Sequence, residues 1–380
     1  MVDTHPSRFM SSRRHAIGCM IVLPLFGYAM LQGRLEEKTE QATQKEAYRP
    51  LSAPETGRSW VSVPDLEKYF RKHRQITFSE DVLIAEISSL DVGDNGDLLI
   101  VDGISRKIWI FNDDGDIRGE LDPEACHPGF MLLPMEAQYA PTGYILLTNS
   151  GLPGYRFNVD GSCLGSLHRE FLPPRSFSFD DHGYIYGAHH SSSERLAFQI
   201  VIRDAEGKKV RHFDLAKEAF PYLVGQTEGG GVVYQNGYLF HVSVAAPIIY
   251  KYTPDGELEQ TYSVKPKFYR PLKEDFPAVA SSPNFFKKVG QIFRESTLIT
   301  DFWALDHEKL LLLYVNDGGI GFQVVSTEGV VLAEYLGMGF PFIHAQNGLA
   351  YRVIQPELDE QGELPNPYLE VYRYVGPEKP

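Results

Sequence analysis

Short apolar runs recur along most of the chain, and each is bounded by a polar step that contains glycine. One class of step is Asp-Gly or Glu-Gly. It places Gly115, Gly161, Gly207, Gly256 and Gly329 at spacings of 46, 46, 49 and 73 residues. Glycine tolerates the positive φ of a tight turn, and the acidic side chain before it can accept hydrogen bonds from nearby backbone. The pattern predicts a series of β-hairpins.

A second class of step lies upstream of each of these and precedes another apolar strand. Its members are Asn95-Gly96, Thr142-Gly143, His182-Gly183, Asn236-Gly237 and Asn347-Gly348, and Asp306-His307-Glu308 takes this place in the fifth unit. Each unit therefore contains four strands, which we name A to D in chain order. Six units lie near 85–122, 128–167, 170–215, 225–263, 298–336 and 338–375.

Four-stranded units that repeat every 40 to 50 residues or so are typical of β-propellers. The sequence therefore predicts an all-β fold, a six-bladed β-propeller with four-stranded antiparallel blades. The sixth unit ends on its strand C at 368–374, and no fourth strand follows it. An unassigned apolar run, Gln75–Phe78, precedes the first unit. We predict that this N-terminal strand completes the sixth blade and so closes the ring, which removes two open sheet edges.

The first unit carries a resemblance to a known kind of propeller. Its sequence, SLDVGDNGDLLIVDGISRKIWIFNDDGDIRGEL, resembles NHL repeats, and the chain looks most like the exported six-bladed β-propeller proteins of bacteria. The likeness covers residues 75–375 in periodicity and is sharp only in this unit. The resemblance implies a fold that hosts binders, lyases, lactonases and dehydrogenases alike. It also implies ligand sites on the face that bears the B–C and D–A loops, which we call the loop face.

Polar residues end strand B in most units, at the loop face. We predict that a ring of side chains around the channel mouth binds a ligand: Asp102, Asn149, His189, Ser243, Tyr314 and Asn316, with Arg175 near a strand A. His189, Asp102 and Asn149 could hold Zn²⁺ or Ca²⁺, since imidazole suits the first ion and carboxylate or amide oxygens the second. The alternative is that Asp and Asn end strands because they cap turns.

An insertion at 264–297 separates the fourth and fifth units. Its second half, 283–295, has the apolar periodicity of a helix with a basic opposite face. On the loop face it would be a lid or a docking surface for a partner protein, through Phe285, Phe286, Lys287, Lys288, Ile292 and Phe293. A helix that merely packs on the propeller rim is an equal alternative. A second long loop on this face, Gln355–Pro367, is acidic.

The N-terminus has the layout of an export signal. Arg8, Arg13 and Arg14 precede the uncharged segment Ala16–Leu31, which is either a cleaved signal peptide or an uncleaved membrane anchor. We predict three parts: a signal or anchor at 1–31, a linker at 32–74 that contains a short helix at 65–73, and the propeller at 75–380. The protein would lie in the periplasm or on the cell surface, and an anchor would tether it to the inner membrane.

Charge and cysteine content narrow the classes of function. The chain has 36 basic and 50 acidic residues, a net charge of −14, which disfavours nucleic acid as a partner. Cys126 and Cys163 are the cysteines outside the N-terminal segment, and we predict that they are not bonded, because they belong to opposite ends of their strands. The favoured function is binding of a small molecule or a protein partner on the loop face.

The alternative function is a metal-dependent hydrolase or lyase with its site at the central channel. The lactonase-like pattern that the resemblance implies needs several oxygen ligands, of which Asp102, Asn149 and Asn316 could supply three. The amidating-lyase-like pattern needs several histidines, of which His189 is one candidate, with His241 and His344 if they turn inward. Neither pattern is complete, so whether the chain is an enzyme stays open at this stage.

Overall fold

The structure describes most of the chain from residue 66 onward. The computed structural model describes residues 66–126, 134–149, 152–168, 176–190, 198–215, 230–273, 291–292, 294–316, 319–337, 342–358 and 364–376. Val63–Pro380 form one compact unit. The predicted signal or anchor at 1–31, most of the linker, Arg175, Phe285–Lys288 and Phe293 lie outside the described residues. Within the described part of the chain, no helix has the length and apolar character to cross a membrane.

Six separate four-stranded antiparallel sheets make up this unit, as predicted. Before the first blade comes β1 (Phe70–Thr77), after a short 3-10 turn at Leu66–Lys68. Blade 1 contains β2 (Ile87–Val92), β3 (Leu98–Asp102), β4 (Lys107–Phe111) and β5 (Ile117–Leu121), and is followed by the one-turn helix α1 (Pro123–Cys126). Blade 2 contains β6 (Pro134–Tyr139), β7 (Tyr144–Asn149), β8 (Leu152–Asn158) and β9 (Cys163–Ser166).

The remaining blades repeat this order. Blade 3 contains β10 (Phe177–Phe179), β11 (Ile185–His190), β12 (Phe198–Arg203) and β13 (Lys209–Asp214). Blade 4 contains β14 (Gly230–Gln235), β15 (Tyr238–Ser243), β16 (Ala246–Tyr252) and β17 (Leu258–Ser263). Blade 5 contains β18 (Leu298–Asp306), β19 (Lys309–Asn316), β20 (Gly319–Ser326) and β21 (Val331–Gly337). Blade 6 contains β22 (Phe342–Gln346), β23 (Leu349–Ile354), β24 (Tyr368–Tyr374) and β1.

The predicted closure of the ring is confirmed. Strand β1 pairs antiparallel with β24, in a register that runs from Phe70 opposite Tyr374 to Thr77 opposite Tyr368. The strand begins at Phe70, five residues before the predicted start of the propeller, so the predicted helix over 65–73 is wrong beyond Lys68. The reason is that Phe70 is fully buried in an aromatic cluster with Phe322 and Phe342, which ties the segment into the sheet.

Each Asp-Gly or Glu-Gly turn rests on the outer strand of the preceding blade. Gly161 and Gly256 have φ values of 87° and 92°. A Cβ atom at Gly161 would lie 2.9 Å from the carbonyl oxygen of Glu120 at the end of β5, and one at Gly256 would overlap the ring of Phe213 on β13. Both the backbone conformation and this close approach require glycine. The recurrent turns are therefore contacts between blades as well as hairpins.

Cys126 and Cys163 form a disulfide, so the prediction that they are not bonded is wrong. Their Cα atoms lie 5.4 Å apart. The prediction placed Cys126 near one face of the propeller and Cys163 near the other, too far apart for a bridge. Strand twist accumulates from A to D, and the turn at Gly161 lies against the end of β5. The start of β9 consequently meets the helix that follows β5, and the disulfide joins blade 1 to blade 2.

Candidate ligand site in the central channel

Strand A of every blade lines a central channel. Along β2, Leu90 and Val92 are buried in the core, whereas the alternate residues Ser89 and Asp91 face the channel. The other A strands should alternate in the same way, because successive side chains of any strand point to opposite faces. The cavity has a volume of about 1060 Å³ and reaches from the starts of the A strands to the A–B turns.

Asp91 connects three blades within the channel wall. Its Oδ2 accepts a hydrogen bond of 2.6 Å from the backbone N–H of Tyr139 in blade 2. Its Oδ1 lies 3.6 Å from Nε2 of His344 in blade 6. The same Nε2 lies 3.2 Å from Oε1 of Gln346. Burial raises the pKa of the Asp91 carboxyl, while His344 and the backbone N–H groups of Tyr139 and Val92 oppose the rise.

Asp301 differs from Asp91, because no basic side chain among the described residues lies beside its carboxylate. It lies in β18 at a register shift between Ile299 and Asp301, and its side chain lines the channel. Burial raises the pKa of its carboxyl to about 6, and a hydrogen bond from Thr300 opposes that shift. Within the described part of the chain, no Lys, Arg or His side chain forms an ion pair with it. Asp301 is partly buried, and removal of a carboxylate from water without a compensating cation is costly.

The rest of the lining combines acids with aromatic rings. Seven acidic residues border the cavity: Asp91, Asp97, Glu136 and Asp301 are partly buried, whereas Asp94, Asp160 and Asp181 are exposed in turns at its rim. Among its described lining residues, Arg118 is the one with a permanent positive charge, and it is paired with Asp97 at 3.2 Å. Tyr139, Tyr234 and Trp303 supply partly buried aromatic surface. The channel is therefore an electronegative cavity with aromatic walls.

Asp102 lies outside this cavity. It is fully buried at the end of β3. Its Oδ2 accepts the N–H of Ala85 at 2.7 Å, and its Oδ1 accepts the N–H groups of Ile104 and Ser105, both at 3.0 Å. The carboxylate therefore holds the B–C loop of blade 1 to the segment that enters blade 1.

The other predicted residues at the ends of B strands also lie within the blades, not among the residues that line the channel. Asn149, Ser243, Tyr314 and Asn316 are at most 8% exposed. Tyr314 donates a 2.7 Å hydrogen bond to Gln323, and Asn316 donates one of 3.2 Å to Thr297. His189 is partly buried in β11, opposite Gln199. That these residues bind a ligand stays a prediction.

Metal binding likewise stays a prediction. Across the described residues, no group of three or more His, Cys, Asp or Glu side chains is arranged to hold a metal ion. Of the predicted partner-binding residues, Ile292 is described, and it is partly buried in a helical turn before β18.

The channel residues Asp91, Glu136 and Asp301 were missed as a site from the sequence, and His344 was named only in the amidating-lyase-like alternative. The usable signal was the polar member of each alternating pair in strand A, such as Ser89 and Asp91 between Leu90 and Val92. A strand A also carries polar residues when its inner face contacts only water and binds no ligand. The signal therefore gains meaning only once six such strands are known to face one axis.

Solved structures resemble this chain in fold. No protein family and no curated protein matches it. A Bacteroides fragilis protein whose name describes it as exported is 12% identical, with a TM-score of 0.54 over 80% of this chain and 94% of that one. A member of the DUF4221 family from Bacteroides vulgatus is 12% identical, with a TM-score of 0.55 over 81% of this chain and 98% of that one.

The chain shares their β-propeller fold. At this level of identity the likeness concerns fold alone. The resemblance to exported bacterial propellers is confirmed in that sense, and the ligand and reaction must be argued from the site.

Proposed function

We propose that this chain is an extracytoplasmic β-propeller that binds a small, positively charged molecule in its central channel. The N-terminal basic and apolar pattern supports a location outside the cytoplasm. A cavity of about 1060 Å³ is slightly larger than the range of roughly 300–1,000 Å³ that is typical of small-molecule sites.

The carboxylate of Asp301 is the observation that carries the proposal. Asp301 is partly buried in the wall of the cavity, and the pKa of its carboxyl is raised because burial disfavours the charged form. The described residues supply no cation to it, whereas Asp91 has His344 within 3.6 Å. A cationic ligand would provide the missing charge and would be favoured over a neutral molecule of the same shape.

The aromatic residues of the wall support the same class of ligand. The ring faces of Trp and Tyr attract cations by roughly 0.5–2 kcal/mol each, more when the cation is desolvated. Trp303 lies two residues beyond Asp301 in a stretch of β18 that pairs in regular register, so the two side chains point to the same side of the strand. Both residues line the channel.

The test is a binding screen with matched pairs of small molecules, each an organic ammonium ion and its neutral isostere. Calorimetry at neutral pH should find ammonium compounds that bind and neutral partners that do not. Asp301→Asn should weaken the binding of those compounds by about tenfold or more, the loss of one charge-assisted contact. Asp255→Asn, an exposed acid on the outer rim, is the matched control and should bind like wild type.

Two outcomes would contradict the proposal. One is equal binding of ammonium compounds and neutral isosteres. The other is unchanged affinity in Asp301→Asn, which would move the site elsewhere.

A further inference from the structure

One level of the central channel has a carboxylate on each of two walls. Glu136 lies in β6 and Asp301 in β18, and both line the cavity. Glu136 pairs with Thr148 on β7, and Asp301 pairs with Leu313 on β19. Each partner stands one residue before the residue with which the sequence pattern ends strand B. The two acids therefore occupy the same position in their blades and the same level of the channel.

The same irregularity of strand A precedes both acids. A register shift lies between Pro134 and Glu136 in blade 2, and another lies between Ile299 and Asp301 in blade 5. A β-bulge of this kind adds one residue to a strand and changes the direction of the side chains beside it. The two walls are therefore built alike around their carboxylates.

The order of the blades places these two walls on opposite sides of the channel. Strand A of blade 1 packs beside strand A of blade 2, and the same holds for blades 3 and 4, 4 and 5, 5 and 6, and 6 and 1. Blades 2 and 3 share a core that contains Leu146 and Phe177. In a closed ring of six, blades 2 and 5 are three steps apart in either direction. Glu136 and Asp301 consequently lie across the axis from each other.

Neutral side chains lie between the two carboxylates at this level. Ser89 pairs with Val101 in blade 1. The carbonyl oxygen of Ser176 accepts the N–H of Ala188 in blade 3 at 3.4 Å. Both partners stand one residue before the end of strand B, as the partners of the two acids do, and both serines line the cavity. Arg175, which precedes Ser176, lies outside the described residues.

The basic side chains of the described lining lie at other levels. Arg118 is paired with Asp97 at 3.2 Å, beside the A–B turn of blade 1. His344 lies 3.6 Å from Asp91, at the next level toward the A–B turns. Each of these bases already has an acidic partner, so neither is placed to neutralise Asp301.

Carboxylates on opposite walls suit an elongated ligand better than a metal ion. A metal ion such as Ca²⁺ draws its oxygen ligands to within about 2.3–2.6 Å of one point. Among the described residues, no group of three or more His, Cys, Asp or Glu side chains is arranged in that way. A chain-like molecule with a positive charge at each end can instead reach both walls at once.

The side chains beside the two carboxylates support the same kind of ligand. Gln138 donates a hydrogen bond of 2.6 Å to Oε1 of Glu136, which orients that carboxylate. Trp303 lies on the same side of β18 as Asp301, and its ring offers apolar surface to a hydrocarbon chain and an electron-rich face to a cation.

We infer that the channel binds a linear diammonium compound, with one ammonium group at Asp301 and the other at Glu136. The inference rests on the proposed function, because it adds a second charge to the ligand of the same cavity. Joining two charged groups in one molecule raises its affinity, since the second contact forms within a molecule that is already bound. The gain is largest when the length of the linker matches the span between the two carboxylates.

The test is calorimetry of the full chain with α,ω-diaminoalkanes of increasing length, each compared with the monoamine of the same length. The diamines should bind about tenfold or more tightly than the monoamines, with a maximum at one chain length. Glu136→Gln should remove this advantage and leave the binding of monoamines as in the wild type. Asp301→Asn should weaken the binding of both classes, because it removes the site of the first ammonium group.

Two further variants separate a ligand contact from a structural role and from general acidity. Glu136→Asp withdraws the carboxylate by one methylene group and should move the maximum to a longer diamine, a shift that a purely structural role would not produce. Asp181→Asn removes an exposed acid at the rim of the cavity and should bind both classes like the wild type.

The outcomes distinguish this inference from the proposed function. Equal affinity for diamines and monoamines of the same length would overturn the inference and leave the proposed function in place. A preference for diamines that persists in Glu136→Gln would do the same. Failure of every ammonium compound to bind would overturn both.

Discussion

The packed seams between blades and the open central channel use polar groups in opposite ways. Along the outer seams, charges are paired across blades: Arg74 with Asp113 at 3.1 Å, Arg156 with Glu206 at 3.3 Å, Lys251 with Glu328 at 3.4 Å, and Arg211 with Asp255. The junction of blades 1 and 2 has a disulfide in the equivalent region. In the channel, Asp301 has no such counterpart among the described residues.

This contrast indicates which polar residues point to function. Exposed ion pairs contribute little individually, but these four pairs give each of the four cations at the seams an acidic partner. A carboxylate in the channel lowers the stability of the folded state, and such residues are typically retained where a site needs them. Asp102 stabilises the fold, because its carboxylate accepts hydrogen bonds from three backbone N–H groups.

The largest effect on stability is expected from the disulfide between blades 1 and 2. Replacement of Cys126 and Cys163 by Ser should lower the free energy of unfolding by about 4 kcal/mol, because the bridge restricts the unfolded chain over a separation of 37 residues. Urea unfolding of the oxidised wild type and the variant measures the difference. If the reduced wild type unfolded at the same urea concentration as the oxidised form, the bridge would have no such role.

The carboxylate of Asp102 should matter almost as much. Asp102→Ala leaves three backbone N–H groups without their acceptor and should lower the free energy of unfolding by about 3 kcal/mol. Asp102→Asn keeps one carbonyl oxygen and should lose less than the alanine variant. A loss of ligand binding in the screen without any loss of stability would place Asp102 in a site instead.

His241, buried between blades 3 and 4, gives the packed interior a distinct dependence on pH. Burial lowers the pKa of its imidazole from 6.5 to about 4. Between these values the unfolded chain binds a proton that the folded chain does not, so stability is fully present above pH 6.5 and is lost as pH falls toward 4. The loss should reach about 2 to 3 kcal/mol. His241→Leu should show a shallower decline in urea unfolding from pH 7 to pH 4.5, and an unchanged decline would contradict the burial argument.

Asp301 should give stability the opposite dependence on pH. Its folded pKa of about 6 exceeds the ordinary value of 3.8, so the folded chain holds a proton that the unfolded chain has released. Stability from this residue is therefore present below pH 3.8 and lost as pH rises through 6. Asp301→Asn should be more stable than wild type by about 2 kcal/mol at pH 7, with little difference at pH 3.5. Destabilisation at pH 7 would show that the carboxylate is compensated.

The sequence by itself determined the blade number, the order of strands and the closing strand. These depend on local chemistry: the positive-φ glycine of each turn, the two-residue period of each strand, and a count of strands that leaves one missing at the end and one unassigned at the start. The extent of β1 and the loss of the predicted helix at 65–73 depended on the packing of Phe70 against Phe322 of blade 5 and Phe342 of its own blade.

Only the tertiary structure decided which polar residues face the channel and which cysteines meet. An aspartate at the end of strand B and one within strand A are the same residue type in similar apolar surroundings. Their roles separate only when six strands converge on one axis and leave Asp102 within a blade and Asp301 in the cavity. The cysteines meet because twist accumulates across each sheet, a property of the assembled blade that no spacing along the chain expresses.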